Sequence, residues 1–108
     1  MTYTLRFLPE VEDDAIGGYG WYETKSPGLG EEFLRMFYAC AGDLSRNSLL
    51  YRKVYGEIRR RLLRRFPYAI YFMVKGEHVI VTGLFHCARD PRIVETELRG
   101  RKNSELFP

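Results

Sequence analysis

His86 and a run of arginines upstream of it are the residues of this chain whose types and spacing could do chemistry. His86 follows the β-branched stretch Val79-Ile80-Val81-Thr82-Gly83-Leu84-Phe85 and stands just before Arg89 and Asp90, so a titratable cluster sits where a strand ends. An imidazole titrates near neutrality and serves as either acid or base. Arg59, Arg60, Arg61, Arg64 and Arg65 fall within seven residues and interleave with Ile58, Leu62, Leu63 and Phe66. Arginine outnumbers lysine 13 to 4, and its forked donors suit phosphate or carboxylate better than they suit simple solvation. On strand parity Arg60 and Arg64 share a face.

Together these residues point to acid–base work on, or binding of, a phosphate-bearing or carboxylate-bearing ligand. His86, Arg89 and Arg64 form the candidate catalytic set. Arg59, Arg60, Arg61, Arg64 and Arg65 form the candidate binding strand. A plainer account competes with both: sheet arginines paired with acids such as Glu57 and Glu77, and a strand-end histidine bonded to backbone or to Asp90. Asp90 reads as a partner of Arg89 or Arg92, or as the cap of a helix begun at Pro91. His78 sits in a turn and reads as solvated.

No metal is expected, because His78, His86, Cys40 and Cys87 lack zinc-ligand spacing. No nucleotide cofactor is expected either, since Gly28 and Gly30 lie between two helices rather than between a strand and a helix. Two isolated cysteines read as reduced thiols.

The elements that must position these residues follow from local pattern. Tyr3 to Leu8 alternates, with Tyr3, Leu5 and Phe7 on one side, and reads as a first strand ended by Pro9. Helix one starts there, with Glu10, Glu12, Asp13 and Asp14 at its positive end and Val11, Ala15, Tyr19 and Tyr22 as its apolar stripe. Gly17, Gly18 and Gly20 predict a weak or kinked stretch, each costing on the order of 1 kcal/mol relative to alanine. Ser26 to Gly30 is a break, with Ser26 a candidate cap. Leu29, Phe33, Met36 or Phe37, Cys40 and Leu44 then repeat at helical spacing, predicting a second helix to about Leu44 whose aromatic positions are core rather than a cofactor pocket.

Ser45 to Ser48 reads as a turn, and Leu49 to Tyr55 as a connector whose Leu50, Tyr51 and Val54 cover one edge of the core. Three strands follow. The arginine-rich run from Ile58 is first; Tyr68 to Val74, almost wholly apolar, is a central strand buried on both faces; the last is Val79 to Phe85, after a Gly76-Glu77 turn. The last strand is expected to turn Val79, Val81, Gly83 and Phe85 to the helices and Ile80, Thr82, Leu84 and His86 away. After Pro91, Ile93, Val94 and Leu98 allow one or two helical turns, with the tail from about residue 100 frayed.

The chain of 108 residues reads as one domain, residues 1–108. Its 29% charged and 45% hydrophobic residues are ordinary for a soluble globular protein, and no apolar run approaches a membrane span. The N-terminus lacks a secretion signal, so a cytoplasmic location is expected.

Four stretches, in this order, resemble the RelE/ParE superfamily, the toxins of type II toxin–antitoxin pairs. They are Trp21-Tyr22-Glu23 with Ser26-Pro27-Gly28-Leu29-Gly30 and Phe33-Leu34, Val54 to Arg60, Arg64 to Tyr71, and Phe85 to Pro91. The likeness is greatest to the ParE-like plasmid-stabilisation branch. It implies an α+β two-layer fold, β-α-α-β-β-β, with a helical hairpin packed on one face of a mainly antiparallel sheet.

The resemblance also implies a growth inhibitor neutralised by a cognate antitoxin, without a cofactor, as a homodimer or in a heterotetramer with the antitoxin. DNA gyrase is the target it implies for the ParE-like branch. The alternatives are a RelE-like, metal-independent endonuclease acting on mRNA in the ribosome, and an inactive homologue that only binds antitoxin. The arginine strand then becomes a nucleic-acid or antitoxin-binding surface. Cleavage of RNA would use His86 as acid or base and Arg89 and Arg64 on the phosphate. Ala69 departs from the nuclease branch, where a basic residue often follows the tyrosine of the middle strand, and favours a binding inhibitor.

Overall fold

The computed structural model describes residues 2–102, which fold in order as β1 (Thr4–Phe7), α1 (Glu10–Lys25), α2 (Leu29–Asn47), a 3-10 turn (Ser48–Leu50), β2 (Lys53–Tyr55), β3 (Ile58–Leu62), β4 (Tyr68–Lys75), β5 (His78–His86) and α3 (Pro91–Lys102). The five strands lie in the order β1-β5-β4-β3-β2, and β1 alone is parallel to its neighbour. The expected α+β hairpin-on-sheet architecture is present, with two additions. The connector contains the edge strand β2, whose three residues are too few to show a period and are defined by pairing with β3. The closing helix α3 runs twelve residues and covers part of the second sheet face.

α1 runs unbroken through Gly17, Gly18 and Gly20, where a weak or kinked stretch was expected. A Cβ on Gly18 would stand 2.5 Å from the Phe33 ring, and one on Gly30 would stand 2.7 Å from Tyr19. Hydrogen is therefore the side chain that lets the two helices approach at these points. Ser26 does not cap α2. Gly28 occupies the cap position at φ 88°, and the Glu23 carboxylate accepts the Gly28 and Gly30 amides, both at 3.0 Å. The first free amides of α2 are thus satisfied by the end of α1. α2 also runs on through the expected turn to Asn47, while Leu50, expected to cover the core, is 81% exposed.

Each sheet face has its own core. On the hairpin side Phe33, Phe37 and Phe72 are fully buried with Leu8, Val11 and Leu44; each buried phenylalanine contributes on the order of 2–3 kcal/mol. On the α3 side, Val94 and Leu98 pack on Ile58, Ala69, Tyr71, Met73 and Phe85. This double cover is why β4 is buried on both faces, as its composition predicts.

The expected facing of β5 holds only for Val79 and Val81. They join the hairpin core, but so do Ile80 and Leu84, while Phe85 packs with α3 and a Cβ on Gly83 would meet Leu98. The register shifts at Tyr71/Phe72, leaving Thr82 as an extra residue between Val81 and Gly83. That bulge inverts the alternation, and the Thr82 hydroxyl donates to the Tyr71 carbonyl at 3.1 Å within it.

α3 begins where Asp90 accepts the Arg92 amide at 2.9 Å, the capping role read for it. Residues 100–102, expected to fray, are helical; the rest of the expected frayed tail, 103–108, lies outside the described residues. Both cysteines are free, Cys40 buried and Cys87 exposed. Among the described residues no helix is long and apolar enough to cross a membrane.

Candidate functional site

The arginine run is dispersed by the fold. Arg59 and Arg61 point to the hairpin side. Arg59 donates to the Tyr51 carbonyl at 2.6 Å, and Arg61, 8% exposed, donates to the Cys40 carbonyl at 2.6 Å and to Asp43 at 3.2 Å. β3 stops at Leu62, so Arg64 and Arg65 belong to the turn before β4, and the parity that paired Arg64 with Arg60 does not apply. Arg64 lies 3.9 Å from Asp43, and Arg65 pairs with Glu32 at 3.1 Å in a left-handed conformation, φ 71°.

The plainer account therefore describes four of the five arginines, which serve backbone carbonyls, Asp43 and Glu32. Glu57, one of the acids expected to pair with them, is paired with Lys53 at 3.0 Å.

Arg60 is the exception. It stands exposed on the α3 side of the sheet beside Tyr71 and Cys87. Burial pushes the Tyr71 hydroxyl up from its usual range, and a hydrogen bond from Arg60 partly draws it back. The Cys87 thiol is raised by the same cause and opposed by the same guanidinium. Tyr55 stacks on Tyr71 with ring centroids 6.1 Å apart, and exposed Leu62 flanks the group. The result is a cation on an aromatic floor with an apolar margin, suited to an acidic, partly apolar segment or to a phosphate.

His86 does not join Arg60. It pairs with Tyr68 across the β4–β5 ladder and lies edge-on to that ring at 5.2 Å. It faces a cleft of about 230 Å³ that Asp13, Asp14, Gly17, Tyr68 and Arg89 also line. This corrects the expectation that His86 turns away from the helices. Its Nδ1 accepts the Ala88 amide at 2.9 Å, an arrangement in which Nε2 carries the ring proton. Arg89 shares the cleft, but it is paired with Glu97 at 2.9 Å and lies over the Phe85 ring at 5.1 Å. Burial pushes the Tyr68 hydroxyl up, keeping it a neutral donor.

Of the candidate catalytic set, then, His86 and Arg89 meet, and Arg64 is elsewhere on Asp43. His78, read as a turn residue, opens β5 and accepts from Arg6 at 3.3 Å. Among the described residues no cluster of metal ligands forms.

Residues missed by pattern reading are Tyr71, Asp14 and Arg101. Tyr71 carried no signal beyond its place in an apolar strand. Asp14 read as one of several acids in a first turn and Arg101 as tail, yet they form an ion pair with side chains 11% and 13% exposed. No local signal connects positions 87 residues apart.

No protein-family model and no curated protein matches the chain. Among solved structures it is similar to a chain of the chromosomal ParDE TA (toxin–antitoxin) system from P. aeruginosa, with a TM-score of 0.73 at 16% identity. The match covers 79% of this chain and 96% of that one. The two chains share a fold, which in this chain is a helical hairpin on a mainly antiparallel sheet.

Proposed function

We propose that this chain is the toxin of a type II toxin–antitoxin pair, a ParE-like growth inhibitor that acts by binding a target such as DNA gyrase. A cognate antitoxin neutralises it. The observation that carries this reading is the shared fold along nearly the whole of a ParDE chain, on a sequence that carries the four colinear stretches of the superfamily.

The separation of the polar groups supports binding over cleavage. A ribonuclease needs acid, base and cations around one phosphodiester. Here His86 shares the cleft on the α1 side with Arg89, whose guanidinium is held by Glu97, while Arg60 lies on the opposite sheet face and Arg64 beside Asp43. Ala69, 1% exposed, offers no cation between them. The Arg60, Leu62 and Tyr71 surface suits an acidic, partly helical antitoxin segment, and an interface that folds on binding buries well over ~1,000 Å² in total.

Induced expression without antitoxin is expected to arrest growth. Purified protein incubated with gyrase and relaxed plasmid is expected to block supercoiling, and to leave mRNA on programmed ribosomes intact. Codon-register cleavage with untouched supercoiling would replace this reading with the nuclease. In that case His86→Ala would slow cleavage by about 10²-fold or more. Silence in both assays, with antitoxin binding retained, would leave an inactive antitoxin-binding homologue.

A further inference from the structure

α1 buries Val11, Ala15 and Gly18 and leaves Asp13, Ile16, Gly17, Gly20, Trp21 and Lys25 in solvent. Ile16 and Trp21 are 59% and 55% exposed and flank Gly17 and Gly20 on either side. A Cβ on Gly17 or Gly20 would meet nothing within 4 Å, and neither residue has a positive φ. Packing within the isolated fold thus requires neither glycine, although Gly17 also lines the His86 cleft, and both forfeit helix propensity. Gly18, one residue away, is required by Phe33.

Charge divides along the same face. Asp13 stands near its start and, among the described residues, its carboxylate forms no ion pair. Lys25 stands at its end, its ammonium over the Trp21 ring at 4.0 Å, which holds the indole in place.

We propose that this face pairs with the same face of a second copy of the chain, the two α1 helices crossing antiparallel about a two-fold axis at the level of Gly17 and Gly20. Trp21 then drops onto the second copy's Gly17 and Ile16 onto its Gly20, each side chain entering a gap that glycine leaves open. Lys25 falls near the second copy's Asp13. A face with acid at one end and base at the other complements itself in the antiparallel sense, and a parallel copy would set like charges together. Each contact occurs twice. One helix face lies at the small end of interface sizes, below ~1,200 Å² in total, so the dimer is reversible and depends on concentration.

Trp21 is the chain's one tryptophan, and its emission reports the contact. As concentration rises, the mass from sedimentation equilibrium is expected to move from monomer to dimer while the emission shifts to the blue. Asp13→Lys and Lys25→Glu each reverse two pairs per dimer and should each weaken association about tenfold. Mixed in equal amounts they should associate again, because each supplies the charge that the other lacks. Gly17→Leu, which favours the helix, should raise the melting temperature and abolish association, so that loss of the dimer is distinguished from loss of the fold. A chain that remains monomeric with an unchanged Trp21 spectrum overturns the proposal. So does a dimer that survives both charge reversals and Gly17→Leu.

Discussion

Arg101 grips Asp14 through two guanidinium–carboxylate bonds of 2.6 and 2.9 Å, and together they close the uncovered end of β5. β1 stops pairing with β5 at Phe7 and Val81. Beyond that point Asp14 accepts the Leu84 amide and Arg101 donates to the Thr82 carbonyl, both at 3.1 Å. Two side chains stand where a neighbouring strand would otherwise satisfy the backbone. Burial opposes the charge on Arg101, but the hydrogen bond and charge of Asp14, together with the charges of Glu97 and Glu10, more than offset it and hold the guanidinium above its ordinary value.

Removing either partner leaves a largely buried charge and an open strand edge. Arg101→Ala and Asp14→Ala should each lower the unfolding free energy by about 3 kcal/mol in urea titrations. The double variant should lose much less than the sum, because the two side chains act as one unit. Additive losses would show that the pair is not coupled.

Neighbouring glycines of α1 should respond with opposite signs. Gly17→Ala gains helix propensity in open space and should stabilise by about 1 kcal/mol. Gly18→Ala gains the same propensity but drives a methyl into the buried Phe33 ring, and overpacking costs about 1–3 kcal/mol. Thermal melts of the two variants should therefore move in opposite directions.

Adjacent arginines of β3 should divide between fold and partner. Arg61→Ala leaves the Cys40 carbonyl and Asp43 without their donor and should cost about 2 kcal/mol. Arg60→Glu removes the hydrogen bond to Tyr71 and should cost about 1 kcal/mol of stability, yet weaken the complex with the proposed antitoxin, whereas Arg64→Glu should leave that affinity nearly unchanged. Equal effects of the two reversals on affinity would remove Arg60 from the interface.

Alkaline pH should test the aromatic packing. Burial raises the hydroxyls of Tyr22, Tyr68 and Tyr71 above their ordinary 10.0 in the folded chain. A raised folded value means that their contribution is complete below the unfolded value and is lost as pH climbs through the folded ones. Stability with respect to these groups should be level through neutrality and fall above about pH 10. Phenolate absorbance from these three residues should appear together with unfolding; its appearance in a still-folded chain would show that the rings are solvated.

The sequence by itself determined the order of the main elements, because their signals are local. Phe33, Phe37, Cys40 and Leu44 lie a helical turn apart, Tyr68 to Val74 is too apolar to face water on either side, and Gly76 permits the φ of 57° that its turn requires. The resemblance to the RelE/ParE superfamily came from the same short stretches. Only the tertiary structure decided which way the polar residues point. The end of β3 at Leu62 places Arg64 and Arg65 in a turn, and the bulge at Thr82 inverts the last part of β5. Both are set by pairing with another strand, and a shift of one residue moves side chains to the opposite face. Asp14 and Arg101 meet for a related reason: an edge left bare by the short β1 needs a donor and an acceptor, and the fold brings them from α1 and α3. That requirement arises in space, and no period along the chain encodes it.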